Sequence, residues 1–181
     1  MTMRFDLRRE TAPLHENVDA AFGALDLEKR SDYRRFIQAH RLAARAAERQ
    51  LNGAENLPAI QLTPLLEADA AALDLPEDDW QPSTLEGEQH PMGIAYVLLG
   101  SRLGNRLLQR GEYWAKHDTH GSRSDHYLSD RTHEPSWRAL VEQLGRLDSD
   151  EKERAVIMSS AAATFAAFEE ALRHSRDTLP E

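Results

Sequence analysis

The chain has 181 residues, with 22 Lys plus Arg against 31 Asp plus Glu, a formal charge of −9 with neutral histidines. It contains no cysteine, which excludes disulfide frameworks, thiolate metal centres and catalytic thiols. An acidic balance suits no nucleic-acid partner, since such affinity rests on cations meeting phosphates. With 40% hydrophobic residues, the length predicts one domain over 1–181 that buries roughly 70% of its extended-chain surface. No run of eighteen apolar residues occurs, and MTMRFDLRRE has no apolar stretch behind its basic residues. The expectation is no membrane span, no signal peptide and a cytoplasmic location.

Leu7, Thr11, Leu14, Val18 and Phe22 recur at helical spacing and predict a first helix from about Asp6 to Phe22. Ser31 reads as the N-cap of a second helix carrying Tyr33, Phe36, Ile37 and Leu42 toward Gly53. Thr63-Pro64 predicts a short helix through Leu73, and the stretch from Asp74 to Gln89 reads as a loop. Pro91 opens an apolar helix from Met92 to Gln109, closed by Gly111. From Glu112 to Glu134 the chain is polar, histidine-rich and irregular, with room for a short helix. Pro135 starts a further helix with Trp137, Leu140, Val141 and Leu144 on one face. Ser149 reads as the cap of a last helix carrying Ile157, Ala161, Phe165, Phe168 and Leu172 to about Arg176. No segment alternates as a strand does, so the predicted fold class is all-α.

Two features ask for a chemical explanation. His15 and Asp19 stand one helical turn apart, so the carboxylate can hold one ring nitrogen and leave the other for a metal. The bland alternative is a partly buried histidine bonded to an acid for its own sake. Gly100 and Gly104 share a face of an otherwise strong helix, where each glycine costs about 1 kcal/mol against alanine. Either another helix packs closely there, or a flat ligand lies against bare backbone. His117, His120, His126 and His133, at separations of three, six and seven, match no standard zinc spacing and read as a solvated loop. Arg34, Arg35, Arg41 and Arg45 read as the wet face of the second helix.

Together the two features resemble the haem oxygenase family. The stretch LRRETAPLHENVD is similar to the family's proximal helix, with His15 on the iron ligand, Arg8 on a basic residue directed at a propionate, and Asp19 on the acid that bonds the ligand imidazole. YVLLGSRLGNRLL resembles the distal helix, where Gly100 and Gly104 let backbone lie over the porphyrin. The tract from Trp137 to Leu147 and the acidic-capped helix with ATFAAFEEAL resemble the family's last two helices. The order of the motifs and the 85 residues between His15 and Gly100 strengthen the joint match. Two positions depart from the best-studied members: Ser101 replaces a distal Asp, and Asn105 replaces a glycine. A serine there resembles the bacterial branch that supplies biliverdin to bacteriophytochromes, while Asn105 either crowds the porphyrin face or donates a hydrogen bond.

The resemblance implies an all-α helical bundle and an enzyme that cleaves haem b with dioxygen to biliverdin, carbon monoxide and ferrous iron. Electrons would come from a reductase or ferredoxin, and a bacteriophytochrome is the implied acceptor of product. Ser101 and exposed backbone at Gly100 and Gly104 would hold the water that delivers a proton. Arg8, with Arg138, would meet the propionates. The rival readings are a haem carrier or sensor without turnover, and a helical protein without haem in which His15–Asp19 is structural.

Overall fold

The structure, a computed structural model, describes residues 2–118 and 123–180. Every regular element among them is helical. In chain order these are α1 (Met3–Gly23), α2 (Arg30–Arg49), α3 (Thr63–Ala72), a 3-10 turn at Ser83–Leu85, α4 (Pro91–Arg110), the single turns α5 (Trp114–His117) and α6 (His126–Ser129), α7 (Glu134–Arg146) and α8 (Glu151–Thr178).

The bundle is built around α8, on which α1, α2 and α4 all pack. Small residues such as Ala161, Ala167 and Ala171 let neighbours approach, and Ile157, Phe165, Phe168 and Leu172 fill the gaps between them. By length and composition α8 could cross a membrane, but half of its most apolar stretch is buried inside the bundle, and packing accounts for its character. The closest approach is at Gly93, where an added Cβ would sit 2.3 Å from the Ile157 carbonyl oxygen and 2.9 Å from the Ala161 nitrogen.

The contacts of α1 climb α8 in the same sense. Asp6 pairs with Arg154, the His15 ring lies 5.8 Å from Phe165, and Arg176 donates to the Ala21 carbonyl at 3.1 Å. The contacts of α4 climb it too. From Gly93 beside Ala161 the helix reaches Arg102, which covers Tyr127; that ring is 5.1 Å from His40, itself 5.5 Å from Phe168.

Several local expectations are corrected. α1 begins at Met3 and runs through Pro13. Ser31 lies inside α2, whose N-cap is Lys29, and Asp32 instead takes the Asp26 amide. Thr63 is not a side-chain cap, since Glu48 of α2 accepts from the amides of Leu62 and Thr63 and starts α3 from across the fold. Asp150 rather than Ser149 caps α8, accepting from the Glu153 amide at 2.8 Å. The α2 arginines are not a wet face. Arg41 is 1% exposed and bonds the Pro76 carbonyl and the carboxylates of Glu67 and Glu77. Arg34 and Arg45 donate to the carbonyls of Asp74 and Asp78, and Arg35 to that of Leu179. Together they strap the 74–79 segment and the end of α8 to α2.

Candidate functional site

Leu7 and Thr11 turn the core face of α1 inward, and His15 projects from the adjoining flank. Its Nδ1 stands 3.0 Å from Asp19 Oδ2, and the side chains are 54% and 67% exposed. The imidazole is therefore held at one nitrogen while its face rests edge-on against Phe165. A neutral ring in this arrangement donates from Nδ1 and keeps the Nε2 lone pair available.

The facing element is α4. It meets α1 at Tyr96, whose hydroxyl bonds the Thr11 side chain, which also bonds the Leu7 carbonyl at 2.7 Å. Burial, the largest influence, raises the Tyr96 pKa, opposed by Thr11 and by the nearby Arg8 and Arg4. His15 and Gly100 each lie one turn beyond this contact. There the helices share no extended packing, and a Cβ at Gly104 would meet nothing within 4 Å. At Gly100 the nearest atoms belong to Trp137, at an ordinary 3.7 Å. Leu103 and Leu107 beside them are exposed, an apolar stripe that α4 leaves uncovered. Of the two explanations open for the glycine pair, helix packing fails at Gly104. The glycine that serves packing is Gly93, which sequence reasoning did not single out.

The remaining predicted residues divide. Arg8 is exposed on the His15 flank, close enough to act on Tyr96. Ser101 turns its hydroxyl back to the Leu98 carbonyl at 2.7 Å. Asn105, next to Gly104 in sequence, is buried, and its Nδ2 has no partner among the described residues. Arg138, on α7, lines a cavity with Arg102, Leu103 and Trp137, the last of which lies against Gly100.

His40 was also missed. It is boxed by the rings of Phe22, Phe36, Tyr127 and Phe168 at 4.2–5.5 Å, with Nδ1 on the Phe36 carbonyl at 2.8 Å. Burial pushes its pKa down to about 4, so it stays neutral at physiological pH. Its position in an alanine- and arginine-rich helix gave no sequence signal. The loop histidines go to separate acids: His117 to Glu112, His126 to buried Asp69 at 2.7 Å, and His133 to Asp130 at 2.7 Å. His120 lies outside the described residues.

A haem fits the donor set between α1 and α4. It needs a nitrogen ligand fixed from behind, a bare backbone opposite and apolar surface to cover. His15–Asp19, Gly104 and the exposed leucines supply these, and the orphaned Asn105 amide adds an uncommitted donor next in sequence.

This all-α bundle, with its histidine-bearing first helix and glycine-bearing central helix around one long core helix, is the haem oxygenase fold. Among solved structures it is similar to the NO- and CO-bound haem oxygenase of Neisseria meningitidis, with a TM-score of 0.74 and 23% identity over 97% of this chain and 92% of that one. No protein-family model and no curated protein matches the sequence. The structural likeness carries the fold, and the chemistry rests on the residues above.

Proposed function

We propose that the protein binds haem b between α1 and α4 and converts it to biliverdin, carbon monoxide and ferrous iron. Haem bound there supplies an iron that takes dioxygen and a porphyrin that is itself the substrate. His15 is the iron ligand, and Asp19 fixes its tautomer and direction. Arg8 meets a propionate. Gly100 and Gly104 give clearance, while Ser101 and Asn105 are the polar groups beside that face. A reductase or ferredoxin supplies electrons from outside, and a bacteriophytochrome is the class of acceptor for biliverdin. A cytoplasmic location suits this role.

The carrying observation is the pairing of an acid-held, half-exposed His15 with Gly104 on α4, where an added Cβ would meet nothing within 4 Å among the described residues. A hemin titration followed by absorption tests it. Wild type should give a histidine-ligated Soret band, and His15→Ala should lose both the band shape and most of the affinity. Equal spectra and affinity for the two proteins overturn the assignment.

One observation favours a second reading, a carrier or sensor without turnover. The Ser101 hydroxyl spends its proton on its own helix, so it accepts from a water but does not donate to one. Anaerobic reduction of the hemin complex followed by oxygen separates the two readings: a growing biliverdin absorption supports the enzyme, and a persistent oxygenated complex supports the carrier.

A further inference from the structure

We propose that the cavity enclosed by α4, α6 and α7 is a second site, which binds a small amphipathic carboxylate. Its volume is about 280 Å³, just under the usual range for ligand pockets and suited to a small molecule. One side is apolar, formed by Leu99, Leu128 and Trp137. The other is cationic in a chain whose formal charge is −9.

Four guanidiniums line it, from Arg102, Arg106, Arg131 and Arg138, against two carboxylates, Asp130 and Glu134. Glu134 is shared between Arg106 and Arg131, and Asp130 between Arg102 and His133. His133 adds no charge. Its Nε2 accepts the Gln61 amide, so the ring proton is on Nδ1, where it is donated to Asp130. The cationic excess therefore stands uncompensated by the cavity's own acids. Low-dielectric walls concentrate such a field on an entering anion.

Arg102 is the most buried of the four. The Arg102 side chain is 7% exposed, with Nη2 on the Tyr127 carbonyl and its charge over the Tyr127 ring at 4.5 Å. Its Nε and Nη1 have no acceptor among the described residues. These two atoms are closed off from the cavity, so the guanidiniums that an entering anion meets are those of Arg106, Arg131 and Arg138, and a planar carboxylate is the acceptor that matches a guanidinium fork. The leucines and Trp137 require that the carboxylate carry an apolar body.

Benzoate is the probe, followed in 1H–15N spectra through the Trp137 indole signal, identified by its loss in Trp137→Phe. A saturable shift of that signal, with the Trp80 and Trp114 indoles unmoved, is expected. Arg106→Gln combined with Arg138→Gln, shown folded by circular dichroism, should weaken binding about tenfold. The proposal is overturned if benzyl alcohol or inorganic phosphate binds as tightly as benzoate, if the double variant binds unchanged, or if no saturable shift appears. The experiment contains no haem, so its result is separate from that of the His15 assignment.

Discussion

Gly93 and Gly104 lie three turns apart on the same flank of α4 and meet opposite surroundings: Gly93 is pressed against the α8 backbone, and Gly104 faces open space. The helix is thus pinned to α8 at its start and leaves open space at Gly104 farther along.

The two glycines should respond oppositely to substitution. Gly93→Ala drives a methyl into backbone atoms that have little freedom to move, and should cost about 1–3 kcal/mol, or several degrees of melting temperature. Gly104→Ala enters open space in a helix interior and should stabilise the apo-protein by about 1 kcal/mol. Gly104→Leu should keep or raise the melting temperature for the same reason while weakening hemin uptake. A large fall in melting temperature with normal uptake would assign Gly104 to packing instead.

His15→Ala should alter apo-protein stability by no more than about 0.5 kcal/mol, because its ion pair with Asp19 is exposed to solvent. Asp19→Ala should keep the histidine-ligated spectrum but weaken hemin affinity by about 10–100-fold, the usual effect of removing an acid behind a ligating imidazole. Parallel hemin titrations and melts of the two variants check both statements.

Acidification should destabilise the protein through His40. Its folded pKa of about 4 lies below the 6.5 of an unperturbed histidine, so between those values the unfolded chain binds more protons than the folded one. Stability is therefore present above about pH 6.5 and is lost as pH falls toward 4, by up to about 3 kcal/mol. In His40→Leu, urea unfolding measured across this range should have a shallower dependence on pH. An unchanged slope would show that other groups carry it.

Arg41→Met should release the 74–79 strap. The side chain is buried, yet its partners Glu67 and Glu77 are 37% and 89% exposed and regain water when it is removed. The expected loss is about 1–3 kcal/mol, below that for breaking a fully buried pair. Limited proteolysis should cut near Pro76 faster than in wild type.

The sequence carried much of this account because much of it is local. Helical periodicity depends on residues three and four apart, which is why the Leu7–Phe22 face, the all-α class and the His15–Asp19 pair were legible. Spacing also showed that Gly100 and Gly104 needed a reason, without showing which. Helix caps were less legible where the capping group came from elsewhere, as Glu48 does for α3.

Only the tertiary structure decided what surrounds each side chain. The α2 arginines look solvated until the 74–79 segment folds over them, and Gly93 looks unremarkable until α8 arrives. Arg138 gave no sign in the sequence of the cavity that the approach of α7 to α4 builds around it. His40 becomes a depressed base only inside four aromatic rings drawn from α1, α2, α6 and α8. Burial and charge balance are sums over neighbours distant in the chain, and a pattern read along one helix contains no record of them.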